Sequence, residues 1–176
     1  KGMDEQAISL WRHRHQEWRP SEEVYQQIWR TATAVAGLPP LGGNSLSLLS
    51  NSERMLDSLA KDIDSATSHV HLLYYIYTTT PACMKVTDAL LRAAQRGVQC
   101  RLLVDGVGSR PFIRGAATER LRNAGVQVEV ALPVNPLRML FARLDLRNHR
   151  KIAVIDGRIA YAGSQNLTDS TFRAGF

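Results

Sequence analysis

The chain is poor in cysteine, lysine and aromatic residues, and it lacks any long apolar run. Cysteine occurs twice, at Cys83 and Cys100, at a separation that fits neither a zinc site nor a redox pair. A disulfide framework is thereby excluded as the source of stability, and both thiols are expected to be buried and inert. Every apolar stretch is interrupted by charge, Gly or Pro before the ~18 residues that a membrane span requires. No secretory leader stands at Lys1, and the abrupt ends read as those of a piece of a longer protein. Acidic residues are outnumbered 16 to 22 by Lys and Arg, giving a net charge of +6 and an isoelectric point near 9.7. That excess favours an anionic partner, either nucleic acid or an anionic membrane, and charge alone does not choose between them. No set of His, Cys or acidic residues has metal-ligand spacing, so neither metal nor cofactor is expected. At 176 residues, with 44% hydrophobic content, the chain can bury one real core.

What is present is concentrated between Asn148 and Leu167, in NHRKIAVIDGRIAYAGSQNL. His149, Lys151 and Asp156 form a His-x-Lys-x4-Asp pattern that this composition yields by chance roughly 0.006 times. Gly163, Ser164 and Asn166 follow. Arg150–Ile155 and Arg158–Ala162 are β-rich runs flanking Asp156-Gly157, a favoured two-residue hairpin turn. The register this predicts sets Ile155 against Arg158, Lys151 against Ala162 and His149 against Ser164. His149, Lys151 and Ser164 then share one face at the open end, with Asn166 just beyond. An imidazole, an ammonium, a hydroxyl and an amide gathered in one place suit a phosphate. Asp156 falls about 16 Å from Lys151 at ~3.3 Å per residue, so it reads as a turn and ion-pairing residue.

The remainder reads as α/β after a helical lead. Residues 3–36 carry apolar residues at helical spacing, split near Pro20, and Gly37–Gly43 marks a boundary. We therefore expect a helical N-terminal segment over 1–40 and a second domain over 41–176. His13 and His15 point to different faces of such a helix and are read as solvated. Ser45–Leu49 is expected as a strand, and a helix striped by Met55, Leu56, Leu59, Ile63 and Ala66 follows it. Val70–Tyr77 is a central strand by its β-branched and aromatic content, with His69 and His71 in packing roles. A helix striped by Val86, Ala89, Leu90 and Ala93 ends at Arg96-Gly97. Cys100–Val104 reads as a strand buried on both faces. Asp105-Gly106-Val107-Gly108-Ser109 has the wrong spacing for a nucleotide fingerprint and reads as a sharp strand exit. Ala116–Ala124 is helix and Val126–Val130 is strand. The fold class is thus α/β, a mixed and largely parallel sheet with helices on both faces. Pro133–Arg147 interleaves Arg138, Arg143 and Arg147 with Leu137, Met139, Leu140, Phe141, Leu144 and Leu146. It reads either as a packed connector or as a basic amphipathic segment that touches anionic lipid. On the second reading Arg138, Phe141, Arg143 and Arg147 are the membrane contacts.

The stretches GGNSLSLLSNSERMLDSLAKDIDSATSHVHLLYYIY, AAQRGVQCRLLVDGVGS and RNHRKIAVIDGRIAYAGSQNLTD resemble the phospholipase D superfamily, from about Gly42 to Asp169. They are most similar to the first catalytic half of bacterial cardiolipin synthases. Two departures stand out: Leu73 occupies a position where such proteins often carry glutamate, and one HKD motif is present where this branch carries two. The resemblance implies a phospholipase D-like fold and metal-independent, two-step phosphatidyl transfer through a phosphohistidine. His149 would act as nucleophile or general acid, Lys151 would neutralise the phosphate, and Ser164 and Asn166 would hold its oxygens. Asp156 would be the structural member of the motif. The implied partners are an anionic phospholipid and its membrane surface, at the cytoplasmic face of a bacterial inner membrane. A second motif would come from the missing half or from a second copy. The alternative is a single-motif nuclease or phosphodiesterase of the same superfamily, complete as a homodimer and acting on nucleic acid.

Overall fold

The computed structural model describes residues 19–38, 40–132 and 147–169. The chain divides into two units, residues 1–48 and 49–176. In the first, α1 (Glu23–Ala36) follows Pro20 and stops at Gly37, whose left-handed backbone (φ 70°) lets its N–H reach the Thr33 carbonyl at 2.9 Å. Of the helical lead expected over 3–36, the part before Arg19 lies outside the described residues. The expected strand over Ser45–Leu49 does not form: Leu46 and Leu48 are 99% and 94% exposed, and no strand pairs with them. A period-two pattern makes a strand only where a neighbour supplies the ladder.

In the second unit, α2 (Ser52–Asp64) starts at Asn51, whose side chain accepts the Arg54 N–H at 3.1 Å, the capping the sequence asks for. It leads to β1 (His69–Tyr74), α3 (Pro81–Gln95) and β2 (Gln99–Asp105). The short α4 (Arg110–Ile113), α5 (Ala116–Asn123) and β3 (Gln127–Ala131) follow, and β4 (Lys151–Ile155) and β5 (Ile159–Gly163) form a hairpin. The five strands make one sheet in the order β3-β2-β1-β4-β5. The β1–β2 and β2–β3 pairs are parallel, while β1–β4 and β4–β5 are antiparallel. The sheet is therefore mixed, and helices flank it.

Alternation along the strands decides which side holds the core. Val70, Leu72 and Tyr74 of β1 are buried together with Cys100, Leu102 and Val104 of β2 and with Ala153 and Ile155 of β4. Leu56, Leu59 and Ile63 of α2, Leu90 of α3 and Leu121 of α5 pack on the same face, each fully buried. Burying each of these side chains contributes roughly 1.5–3 kcal/mol. Right-handed crossovers between successive parallel strands place α3 and α5 on one side, which accounts for the shared core. The other face carries His71, Leu73, Arg101, Leu103, Ile152 and Val154, with Arg101 and Leu103 exposed. Cys100–Val104 is thus buried on one face rather than two. Within the second unit, the described helices that supply the core pack on this one face. Both cysteines are buried, and burial pushes the Cys100 thiol up to about 11, in keeping with an inert role.

β1 is shorter than the sequence suggests, ending at Tyr74 instead of Tyr77. The chain leaves the ladder there because the turn after β2 captures it. The Ser109 hydroxyl donates to the Tyr75 carbonyl and accepts the Tyr77 N–H, both at 3.0 Å. Beyond this bend Ile76–Thr78 meets the segment after β5: Leu167 N–H donates to Ile76 O at 3.1 Å and Thr78 N–H to Leu167 O at 2.9 Å.

Candidate active site

Four strand ends meet at one edge of the sheet. Tyr74 at the end of β1 pairs with Val104 near the end of β2, Leu73 with Ile152 near the start of β4, and Lys151 with Gly163 at the end of β5. This is the carboxyl edge of the parallel strands, where open α/β sheets place their ligand sites. His149 and Lys151 are both there. The His149 ring lies against the Tyr75 ring, centroids 4.3 Å apart and tilted by 57°, and the Lys151 ammonium stands 5.8 Å from the centroid of the same tyrosine. Lys151 Nζ also donates to the His149 carbonyl at 2.6 Å. Just upstream, the Asn148 side chain accepts the Arg150 N–H at 3.1 Å and shapes the approach to β4.

Asn166 reaches the same edge from the far side of the hairpin. Its Oδ1 accepts the Ile76 N–H at 3.1 Å, which leaves the amide Nδ2 as a donor. Gln165, which the sequence reading did not single out, fixes this loop. Its Nε2 donates to the carbonyls of Asn166 and Thr168 at 2.9 and 3.1 Å, and its Oε1 accepts the Ser52 hydroxyl at 3.0 Å.

The hairpin register differs from expectation by one residue. Ile155 pairs with Ile159, Ala153 with Tyr161 and Lys151 with Gly163. Asp156 and Gly157 take the left-handed backbone expected of them, with φ of 53° and 62°, and Arg158 N–H donates to Ile155 O at 3.0 Å, but Arg158 joins the loop and makes it one residue longer than expected. The slip follows from what β5 must bury, because a one-residue shift swaps its two faces. The observed register packs Ile159 and Tyr161 against the core, and the Tyr161 hydroxyl donates to Asp62 of α2. The expected register would have sent Arg158, Ala160 and Ala162 there. A consequence is that, continued outward, the ladder sets Gln165 rather than Ser164 opposite His149. Ser164 is exposed and outside the strand, so the register no longer places it beside Lys151.

Asp156 lies at the opposite end of β4 from Lys151, as expected, but its bonding is different. No ion pair involves it among the described residues. Its carboxylate accepts the backbone N–H groups of Thr67, Ser68 and His69, each at 2.9 Å, and the Thr67 hydroxyl at 3.1 Å. Its own N–H donates to His69 O at 2.9 Å. The backbone donors, that of Thr67 foremost, hold this carboxyl well below the usual carboxylate range.

Arg147 is also corrected. Its guanidinium Nη1 donates to both carboxylate oxygens of Asp105 at 2.9 Å, and the two side chains are only 8% and 3% exposed. A buried ion pair removes Arg147 from the lipid-facing set. Arg138, Phe141 and Arg143 lie outside the described residues, as do His13 and His15. Asp105 also accepts the N–H groups of Val107 and Gly108 at 2.8 and 3.0 Å, so the DGVGS stretch is a self-capped strand exit. His69 and His71 sit on β1 with rings 5.0 Å apart, and His71 is on the face away from the helices. Desolvation, then the charges of His69 and Arg101, lowers the His71 pKa. No helix of the described residues is long and apolar enough to cross a membrane, and no group of three or more His, Cys, Asp or Glu among them could hold a metal ion.

Residues 59–176 match the family described as "Cardiolipin synthase, PLD-like domain". The chain belongs to this family. Cardiolipin synthase A of Yersinia pseudotuberculosis is 39% identical over 152 residues, a match covering 86% of this chain and 31% of that protein. Cardiolipin synthase A of Yersinia pestis matches to the same extent. This PLD-like chain therefore spans about a third of the length of these relatives (31%). Among solved structures it is similar to Nuc of Salmonella typhimurium, a phospholipase D family member. That match is 22% identical, covers 66% of this chain and 68% of that one, and has a TM-score of 0.46. It is also similar to polyphosphate kinase of Porphyromonas gingivalis, at 21% identity, 70% and 20% coverage and a TM-score of 0.48.

Proposed function

We propose that this chain supplies one HKD motif of a cardiolipin synthase-type phosphatidyltransferase, which works on phospholipid phosphodiesters without a metal. The observation that carries this reading is the pairing of His149 with Lys151 at the carboxyl edge of the sheet, beside the Asn166 amide, in a chain 39% identical to cardiolipin synthase A. In the first step an imidazole nitrogen attacks the phosphorus and the bond to the head-group alcohol breaks. A general acid delivers the proton that alcohol needs. In the second step a lipid hydroxyl loses its proton to the same acid–base group, attacks the phosphorus and releases the imidazole. Lys151 offsets the charge on the non-bridging oxygens and the Asn166 amide holds them, with Ser164 assigned to them from the loop after β5 and not from the hairpin ladder.

Nucleophile and acid must stand on opposite sides of one phosphorus, so a single imidazole cannot fill both roles in one step. The second motif then comes from a further stretch of the protein or from a second copy. Arg138, Phe141 and Arg143 are assigned to anionic lipid, with residues 1–40 as a helical lead to a PLD-like domain over 41–176. The site of action on this reading is the cytoplasmic face of a bacterial inner membrane. The test is to incubate a longer protein carrying both motifs with phosphatidylglycerol vesicles. Cardiolipin and glycerol should appear in equal amounts, and a chelator should leave the rate near normal. Glycerol without cardiolipin, or DNA cleavage without lipid turnover, would replace this reading with a hydrolase or a nuclease.

A further inference from the structure

The turn after β2 makes more contacts to the site than a strand exit needs. On one side, Asp105 holds Arg147, two residues before His149, in an ion pair shut away from solvent. On the other side, Ser109 is fully buried, and its hydroxyl bonds both the Tyr75 carbonyl and the Tyr77 N–H. Between them Gly108 leaves no room for a side chain, since a Cβ there would sit 2.5 Å from the Tyr75 carbonyl oxygen. Tyr75 in turn lies under the His149 ring and beside the Lys151 ammonium. One five-residue turn thus grips both segments that frame the imidazole: the chain leading into β4 and the backbone bearing its aromatic support.

We propose that the Asp105–Ser109 turn is the positioning device of this site, acting through Arg147 and Tyr75 to set the direction of the His149 ring. This rests on the function proposed above. None of Asp105, Gly108, Ser109 or Arg147 touches the phosphate; Tyr75 supports the two residues that do. The physical need is clear at His149, which is exposed and has no side-chain hydrogen bond among the described contacts to fix its ring. An in-line attack tolerates little misdirection, and an error of about 1 Å can cost as much as ~10² in rate. The aromatic face and the anchored backbone limit the directions the ring can take.

The test compares His149 ring resonances in this chain, identified by their loss in His149→Gln. In the wild type the Tyr75 ring displaces them, and Tyr75→Leu removes that displacement. Arg147→Lys, Gly108→Ala and the milder Ser109→Ala should each move the His149 signals toward those of Tyr75→Leu. Leu121→Ala, in the core at α5, serves as the stability control: it should lower the melting temperature and leave the His149 signals in place. His149 signals at wild-type positions in folded Ser109→Ala and Arg147→Lys would overturn the proposal, as would equal movement in Leu121→Ala. In the longer two-motif protein the same three variants should lower kcat about 10-fold or more with a smaller change in KM. Absence of lipid transfer by the wild-type protein would defeat the function proposed above, whereas the resonance comparison judges the positioning role by itself.

Discussion

The two ends of the β4–β5 hairpin carry the same sequence motif and are built in opposite ways. At the turn end, the Asp156 carboxylate takes four hydrogen bonds, three of them from the consecutive backbone N–H groups of Thr67, Ser68 and His69 where the chain enters β1. At the open end, His149 is exposed and Lys151 is only part-buried, and their contacts are a tyrosine ring and one carbonyl. A carboxylate so fully satisfied has little capacity left for chemistry, while an imidazole and an ammonium left open to solvent can meet a ligand. The motif thus joins a structural lock to the pair proposed as reactive, and four residues of β4 stand between Lys151 and Asp156. Two further contacts, Asp105 with Arg147 and Gln165 with Ser52, stiffen the chain around the open end without occupying it.

If this division is right, the largest effects on turnover lie at the open end. His149→Ala in a two-motif protein should lower kcat by at least ~10² and leave the melting temperature unchanged, as expected for a nucleophile or proton-transfer group. Lys151→Ala should cost about 10–10² in kcat through lost charge stabilisation, read in the same assay. Asp105→Ala should act on folding, because it strands the Arg147 charge in the interior. Removing one partner of a buried pair costs about 3–5 kcal/mol, measurable by urea denaturation. The smallest effects test the register. Ile159→Ala should cost about 1–2 kcal/mol and Arg158→Ala less than about 0.5 kcal/mol, since only Ile159 faces the core. The reverse order in thermal melts would restore the register in which Arg158 opposes Ile155.

The sequence made the helices and parallel strands legible because their apolar residues recur with the period of the element and a single core rewards them. The stripe Met55, Leu56, Leu59 and Ile63 maps directly onto buried positions, and β1 and β2 form where strands were expected, although β2 buries one face and not two. The pair proposed as reactive was legible for a different reason: His149 and Lys151 lie two apart in the chain entering β4, so local geometry brings them to one place. What failed depended on distant partners. Ser45–Leu49 alternates correctly but finds no strand to pair with. The hairpin register was decided by Tyr161 reaching Asp62, 99 residues away, which turn chemistry alone does not reveal. Arg147 looked like one of several surface cations until Asp105, 42 residues before it, claimed it. Tyr75 is a further case: it follows the end of β1, and the chain bearing it is held by Ser109, 34 residues later, so strand alternation does not predict its place beside His149.

The most direct test of the division is Asp156→Asn, measured for both stability and kcat across pH. Hydrogen bonds from backbone N–H groups, first that of Thr67, depress the folded-state pKa of Asp156. Its contribution is therefore fully present above the unfolded value of about 3.9 and is lost as pH falls below it toward the folded value. The wild type should lose more melting temperature than Asp156→Asn between about pH 5 and pH 3. At neutral pH, Asp156→Asn should melt several degrees lower yet retain most of its kcat when assayed well below its own transition. A variant with wild-type melting temperature and no turnover would place the carboxylate in the reaction and contradict the separation of lock from reactive pair.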